Sequence, residues 1–328
     1  MGRVRILAAD GSPAEAEKMD RFWRQRSMQL QESRDGLLVH AVSSIRTMAD
    51  IEIEPFAQCE DQERSEVARI RLAARINGLF VTDSADAIVI TVNKDTIEET
   101  AYYLHLVLKG ERPVILIESP CGSSRLSNEG WLTLYDAVAV AADCSERGYG
   151  AVSILSDGFP AMYKAANSGA ARGHILLSAA QDVLAIVNRG EIRYFRPPGD
   201  GYQPDPQFCA DLGERLPRVD ILYCHADMAR DVIAACICFG ASGIVIGGAG
   251  NGSVPEKLAR ELAELANRGV VVVRSGLTER CAIGSESEEP ARLIEAEQLS
   301  PQQSRLLLQL CLAKGMDRYE IRQAFRRN

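Results

Sequence analysis

The stretch "VITVNKDTIEETAYYLHLVL" (89–108) contains a buried strand, a sharp turn and an amphipathic helix. Its first four residues are β-prone, whereas the residues after Asp95 repeat apolar side chains at helical spacing. The unusual residue is Lys94, which stands where the helix is about to begin. A helix start carries partial positive charge and favours Asp, Ser or Thr. Lys94 is therefore either a solvated surface residue or a functional one, held there for an anionic ligand or as an amine of altered pKa.

The same alternation of short apolar runs and helical patterns continues along the chain. Strands that are apolar on both faces and joined through helices are typical of a parallel sheet covered on both sides. The predicted strands are 4–9, 87–92, 113–119, 151–155, 182–187, 191–195, 219–224, 243–248 and 269–275. The predicted helices are 96–109, 131–146, 226–239, 254–267, 300–314 and 317–326.

A segment rich in proline and glycine, "RPPGDGYQPDPQF" (196–208), interrupts this alternation. The sequence therefore predicts an α/β protein with a larger N-terminal domain (1–195), a linker (196–217) and a smaller C-terminal α/β domain (218–328). The larger domain is expected to hold a mostly parallel sheet with helices on both faces. Because open α/β sheets bind ligands beyond the carboxyl ends of their strands, we expect functional residues directly after the strands.

The composition excludes several classes of function. The chain is 46% hydrophobic and 25% charged, with a net charge of −8, which disfavours binding to nucleic acid or to anionic membranes. It has no apolar run of about 18 residues, and its start lacks the features of a signal peptide, so we expect a cytoplasmic protein. Nine cysteines without a CxxC pair, and scattered histidines, predict neither a metal site nor a disulfide framework, and no cofactor is expected.

Three positions after strands are candidates on local chemistry alone. Ser12, in a glycine-containing turn, is a nucleophile, an N-cap or an ordinary turn residue. Thr96 and Glu99 have the spacing of a capping box. The turn "AGNGS" (249–253) can present backbone N–H groups to a carboxylate or phosphate, but it lacks the patterns of a nucleotide site.

Several blocks of sequence, in a fixed order, carry a family resemblance. They are "KDTIEETAYYL" (94–104), "LSNEGWLTLYDAV" (126–138), "GAGNGS" (248–253), "VVVVRSG" (270–276) and "LSPQQSRLLLQLCLAKG" (299–315). Together they resemble the bacterial-type L-asparaginase/glutaminase family over nearly the whole chain. The resemblance implies the asparaginase-like two-domain α/β fold and hydrolysis of a side-chain amide through an acyl-enzyme.

The same resemblance implies a remodelled catalytic site. The family's nucleophilic threonine corresponds to Ser12 and its second catalytic threonine to Lys94, whereas the neighbouring aspartate is kept as Asp95. The family's catalytic lysine corresponds to Asn167, with Lys164 three residues earlier. Ser12, Lys94 and Asp95 are thus the predicted catalytic residues, with Lys94 as the base if burial lowers the pKa of its amine.

Other positions are implied to bind the substrate. They are Asp61, Asn93, Lys164, Asn167, Asn251 and Ser253. Asp61 corresponds to a serine that binds the substrate carboxylate in the family, so an acidic residue there favours an amine instead. The family's lid tyrosine has no counterpart in 13–39, and its "GAMRP" loop becomes "ESPCG" (118–122).

Two interpretations stay open. The first is an amidohydrolase or acyl-transfer enzyme acting on an aspartate- or asparagine-like or modified small molecule, with little ordinary L-asparaginase activity. The second is a catalytically inactive homologue that binds a ligand or acts as a scaffold. The resemblance also implies a homotetramer or homodimer whose sites are completed across the subunit interface, with the acidic run "SESEE" (285–289) near that interface.

Overall fold

The structure is a computed structural model that describes most of the chain outside four longer gaps. The described residues are 2–9, 48–56, 65–93, 95–110, 112–118, 128–147, 152–155, 161–164, 183–195, 208, 213, 215–225, 228, 231–276 and 293–328. The chain divides into two compact units, Met1–Cys209 and Ala210–Asn328. This division falls inside the segment 196–217, and the finer domain bounds stay a prediction.

The first unit is built on an eight-stranded sheet. Its strands are β1 (Gly2–Ala8), β2 (Ala49–Pro55), β3 (Ala87–Val92), β4 (Val114–Glu118), β5 (Val152–Leu155), β6 (Ala161–Lys164), β7 (Val183–Asn188) and β8 (Glu191–Tyr194). They lie in the order β2-β1-β3-β4-β5-β6-β7-β8. The first five strands in this order are parallel, and β6, β7 and β8 each run antiparallel to the preceding strand.

Helices cover both faces of the parallel part, as the sequence predicts. Helix α1 spans Ser65–Val81, α2 spans Ile97–Val107 and α3 spans Asn128–Arg147. Helix α3 places Leu134, Ala137, Val138 and Ala141, which recur at helical spacing, against one face of the sheet. That face presents alternate strand residues, namely Val4, Ile6, Ala8, Ala87, Val89, Ile115 and Ile117. Helix α2 contacts β4 and β5, while the intervening strand residues, such as Ile90 and Leu116, are fully buried.

A tight hairpin joins β7 to β8 and packs on α3. Its two turn residues, Arg189 and Gly190, both have positive φ, as in the turns that suit two-residue hairpins. The Gly190 N–H donates to the Asp136 carboxylate at 2.6 Å. A Cβ atom at position 190 would lie 2.8 Å from the Tyr135 hydroxyl, and the positive φ of 81° also favours glycine there.

The second unit holds a smaller, fully parallel sheet. Its strands are β9 (Val219–Tyr223), β10 (Gly243–Gly248), β11 (Val271–Gly276) and β12 (Ile294–Glu295), in the order β12-β11-β10-β9. Its helices are α4 (Asp231–Cys238), α5 (Ala249–Gly252), α6 (Glu256–Asn267), α7 (Pro301–Ala313) and α8 (Arg318–Arg327). Helices α7 and α8 each begin with a complete capping box, which fixes where they start.

The structure adds elements that the sequence did not reveal. They are β2, β6, β12, α1 and the short α5. Strand β2, "ADIEIEP", lies at the sheet edge and alternates isoleucine with glutamate, so it lacks the long apolar run of the central strands. Glu54 on this strand pairs with Arg75 of α1 at 2.7 Å, and Glu52 pairs with Arg5 of β1.

The described residues include neither a candidate membrane-spanning helix nor a candidate metal-binding cluster. Within the described ranges, no helix combines the length and apolarity needed to cross a membrane. The same ranges hold no group of three or more His, Cys, Asp or Glu residues arranged to bind a metal. The cysteines in this part of the chain, Cys144, Cys224, Cys236, Cys238 and Cys311, carry free thiols.

Candidate functional site

The candidate site lies at the carboxyl edge of the first sheet, between β1 and β3. The chain passes from β1 to β2 on one side and then returns to β3 on the other side of β1. Loops that leave two neighbouring strands in opposite directions open a crevice, and open α/β sheets bind ligands there. Backbone hydrogen bonding between β1 and β3 continues to this edge, since the Ala9 N–H donates to the Thr91 carbonyl at 3.0 Å. Asp95 lies in the turn after β3, whereas Ser12 lies three residues after Ala9, outside the described residues.

The turn after β3 is organised by Asn93. The Asn93 side-chain oxygen accepts a hydrogen bond from the Asp95 N–H at 2.9 Å, which is an Asx turn. The Asn93 carbonyl accepts a second bond from the Thr96 N–H at 3.0 Å. Asn93 and Asp95 are both exposed at the end of a fully buried strand. The structure therefore brings these two predicted site residues together and gives Asn93 a local structural role.

The predicted capping box of α2 is wrong. Thr96 is the N-cap residue, but its side chain makes no capping hydrogen bond and instead donates to the Asn93 carbonyl at 3.3 Å. Glu99 accepts a hydrogen bond from Arg69 of α1 at 2.9 Å. The local motif does not form because of a tertiary contact. The buried Arg69 of α1 binds the Glu99 carboxylate, which the motif assigns to the start of α2.

The Arg69–Glu99 contact ties the first turn of α2 to α1. The two side chains are 6% and 23% exposed, so the ion pair is largely shielded from water. Burial of the Tyr103 side chain on the same helix raises the pKa of its phenol to about 12, and the positive charge of Arg69 opposes that rise. The helix that positions the Asn93–Asp95 turn is therefore held by a buried polar contact as well as by apolar packing.

A carboxylate that the sequence did not single out as a site residue ends β4. Glu118 pairs in register with Val92, the residue immediately before Asn93, and it is half-buried. Adjacent strands lie about 4.8 Å apart, so Glu118 is one strand away from the Asn93–Asp95 turn. The signal was present in the sequence, because an acidic residue closes the apolar run "VILIE". Glu118 and Asp95 thus give the described part of this edge a negative charge.

The structure describes only some of the other predicted site residues. Ser12, Asp61, Lys94 and Asn167 lie outside the described residues. Lys164 ends β6 and pairs with Ser153 of the antiparallel neighbour β5. The register across β5, β4 and β3 puts this position level with Ile115 and Val89, three residues back from the carboxyl edge. The predicted roles of these residues stay predictions.

Asn251 and Ser253 belong to the second unit, in the loop "GAGNGS" after β10. The loop closes on itself, because Ala249 and Ser253 exchange two backbone hydrogen bonds of 2.9 Å. A Cβ atom at position 248 would lie 2.4 Å from the Gly252 carbonyl carbon, so the close approach requires glycine. Asn251 lies within α5, and Ser253 is exposed just after it. The loop follows the carboxyl end of a buried parallel strand, where a ligand site is expected in this unit also.

Comparisons with known proteins agree with this architecture. Residues 21–199 match the family model "Asparaginase, N-terminal", and residues 218–325 match "Glutaminase/Asparaginase C-terminal domain". The chain is 31% identical to a probable periplasmic L-asparaginase of Haemophilus influenzae, over 88% of this chain and 83% of that protein. It is 29% identical to a glutaminase-asparaginase of Pseudomonas fluorescens, over 99% and 90%.

A solved structure gives the same result. The crystal structure of a probable cytoplasmic L-asparaginase from Campylobacter jejuni superimposes with a TM-score of 0.76 and 28% sequence identity, covering 99% of each chain. Two family models that match successive parts of the chain, a relative at 31% identity and this structural likeness agree. The chain belongs to the asparaginase/glutaminase family and has its two-domain α/β fold.

Proposed function

We propose that this chain is an amidohydrolase or acyl-transfer enzyme with a rewired catalytic site and little ordinary L-asparaginase activity. Its substrate is an aspartate- or asparagine-like or modified small molecule that carries an amide. The observation that carries the proposal is the Asn93–Asp95 turn at the β1/β3 crevice, where Asn93 fixes the Asp95 backbone by a 2.9 Å hydrogen bond. Family membership supplies the reaction class, since relatives are named L-asparaginase or glutaminase-asparaginase.

The proposed chemistry uses Ser12, Lys94 and Asp95. The Ser12 hydroxyl attacks the acyl carbon while the neutral Lys94 amine accepts its proton. The C–N bond then breaks, and the leaving amine takes that proton, so that an ester on Ser12 and a free amine result. Water attacks the ester, which releases the acid and restores the Ser12 hydroxyl. The Asp95 carboxylate stabilises the positive charge that Lys94 carries while it holds this proton.

Substrate recognition is assigned to six residues that the family resemblance implies. Asp61 and Asn93 contact the ligand from the first unit, together with Lys164 and Asn167. Asn251 and Ser253 contribute from the loop after β10. We assign the active form to a homotetramer or homodimer in which a second subunit completes each site, and its location to the cytoplasm. The Campylobacter neighbour is named a probable cytoplasmic L-asparaginase, which supports that location, although the Haemophilus relative is named a probable periplasmic one.

A second candidate function follows from the same residues. Lysine at 94 and asparagine at 167 depart from the family pattern in the sequence, and a departure of this kind is typical of a homologue that binds a ligand without turning it over. In that case the chain acts as a ligand-binding or scaffolding protein on the asparaginase fold.

A mass-spectrometric trapping experiment separates the two functions. The protein is incubated with asparagine, glutamine and a panel of acyl-amides, and the intact mass and peptide masses are measured. An acyl adduct on Ser12 that disappears in Ser12→Ala supports the enzyme. Ser242→Ala is the matched control, because Ser242 is an exposed serine of the second unit. No adduct with any amide, together with tight binding of an unreacted ligand, refutes the enzyme and supports the binding protein.

A further inference from the structure

Helix α4 (Asp231–Cys238) of the second unit is strongly apolar but is scarcely buried. Seven of its eight residues are apolar, "DVIAACIC", and all eight are described, with Ile233 the one that is buried. Helix α6 of the same unit behaves differently, because it buries five residues at helical spacing and exposes polar ones such as Lys257 and Glu264. A helix that is apolar on nearly all sides is typical of one that is covered on its outer face as well.

The exposed side chains of α4 include one apolar stripe. Val232, Ala235, Cys236 and Phe239 are spaced by three, one and three residues, so they lie on one face of the helix. Phe239 follows α4 directly, and its N–H still donates to the Ala235 carbonyl at 2.9 Å. Phe239 is 76% exposed and Val232 is 43% exposed. Since a helix of this length is not stable in water by itself, a partner that covers the stripe would stabilise it.

The two ends of this stripe carry opposite charges. Asp231 is exposed at the amino end of α4. Arg218 lies at the carboxyl end, because its Nη1 donates to the Phe239 carbonyl at 3.0 Å. The Arg218 side chain is 50% exposed and binds Asp220 at 2.9 Å, and its guanidinium has further N–H groups that can donate to a second carboxylate. An antiparallel helix with the same two ends therefore meets an opposite charge at each of them.

We propose that the outer face of α4 is a self-association surface, on which α4 of a second copy of this chain packs antiparallel about a two-fold axis. A two-fold contact forms every pair of contacts twice. Phe239 of each copy covers Val232 of the other, and the small Ala235 side chains let the two helices approach closely at the centre. The acidic end of each helix lies beside the basic end of the other. This surface goes beyond the assembly assigned to the active form, which completes sites at the carboxyl edges of strands.

Sedimentation velocity of the full chain, measured over a series of concentrations, tests this surface. Phe239→Asp places a carboxylate against apolar side chains at the contact, so we expect the association constant to fall about tenfold or more. Tyr319→Asp is the matched control, because Tyr319 on α8 is also an exposed aromatic residue of the second unit, at 71%. It should leave the association constant unchanged. Circular dichroism should show that both variants are folded, since both replaced side chains are largely exposed.

Hydrogen exchange of the native chain gives an independent result that needs no variant. The backbone N–H groups of residues 231–239 should exchange more slowly as the protein concentration rises. The proposal is overturned if the native chain is monomeric at every concentration, or if exchange in α4 does not depend on concentration. Equal association constants in the native chain and Phe239→Asp, or equal losses in Phe239→Asp and Tyr319→Asp, overturn it also. None of these measurements depends on an adduct at Ser12, so failure of this proposal and failure of the catalytic one are distinguishable.

Discussion

The Asn93 side chain holds the Asp95 backbone N–H at 2.9 Å, so the residue before Lys94 fixes the residue after it. This hydrogen bond spans position 94, where a lysine is unusual for the start of a helix. An Asx turn of this kind sets the direction of the following residues without help from a helix cap. The orientation of the kept aspartate therefore depends on Asn93 and not on the Thr96 side chain.

Substitution of Asn93 tests this dependence. Asn93→Ala removes the acceptor, and we expect the free energy of unfolding to fall by about 1 kcal/mol, as for one exposed local hydrogen bond. The rate of adduct formation on Ser12 is expected to fall further, by about tenfold or more, because misplacing a site residue by a fraction of an ångström affects chemistry strongly. Urea denaturation and time-resolved mass spectrometry give the two values.

Asn93→Asp is the matched variant, since it keeps an oxygen acceptor for the Asp95 N–H. It should retain more of the adduct rate than Asn93→Ala. Equal rates in the two variants would contradict a role for this hydrogen bond.

The buried Arg69–Glu99 pair makes a second prediction. Because the Arg69 side chain is only 6% exposed, Glu99→Gln replaces the carboxylate of a largely buried ion pair by a neutral amide, and we expect a loss of about 3 kcal/mol in unfolding free energy. The double variant Arg69→Met/Glu99→Gln should recover part of that loss. A double-mutant cycle measured by urea denaturation gives the coupling energy between the two side chains.

An exposed pair in the second unit is the control for this cycle. Arg260 and Glu256 are also an arginine–glutamate contact, but their side chains are 75% and 80% exposed. Their coupling should be only about 0.5 kcal/mol. A coupling between Arg69 and Glu99 as small as this would show that the α1–α2 contact contributes little to positioning the turn.

Local sequence patterns account for the central strands and for α2. The six apolar or β-branched residues of β3 specify a strand buried on both faces, and the helical repeat that follows Thr96 specifies α2. Position after a strand was also enough to predict that Asn93 and Asp95 share one edge. These features depend on residues close together in the chain.

The rest depends on contacts between distant residues. The capping box failed because Glu99 binds Arg69, thirty residues earlier, on a helix that the sequence did not reveal. Glu118 was not recognised as a site residue because its nearness to Asn93 comes from the register of β3 and β4. Strand β2 was missed because its glutamates, which pair with Arg5 and Arg75, remove the apolar signal.

The pH dependence of stability gives a third prediction, through Asp136. Burial raises the pKa of this carboxyl above its ordinary value of 3.8, against the opposing hydrogen bond from the Gly190 N–H. A folded-state pKa that is raised favours the folded protein at low pH, and this stability is lost as the pH rises through the folded-state pKa. Asp136→Asn keeps an oxygen acceptor for Gly190 and removes the charge. We expect it to be more stable than the native protein at about pH 7, and to lose less stability between about pH 4 and about pH 7.

Urea denaturation at several pH values measures this difference. Asp136→Ala is the control, because it removes the acceptor as well as the charge and should be less stable than Asp136→Asn. If Asp136→Asn and Asp136→Ala were equally destabilised at about pH 7, the ionised carboxylate would be the favoured form and the prediction would be wrong.

The loop after β10 gives the last prediction, which compares the same added methyl group at two glycines with different surroundings. At Gly248 the new Cβ would lie 2.4 Å from the Gly252 carbonyl carbon, and backbone cannot move aside as a flexible side chain can. We expect Gly248→Ala to lower the free energy of unfolding by about 2 kcal/mol or more, as for overpacking.

Gly78 lies within α1, and a Cβ atom added there would meet no atom within 4 Å, so Gly78→Ala should raise the free energy of unfolding by about 0.5–1 kcal/mol. Circular dichroism during urea denaturation measures both. Because both variants add one methyl group, opposite signs can come only from the surroundings of the two positions, and a harmless Gly248→Ala would show that the loop opens more readily than its two backbone hydrogen bonds imply.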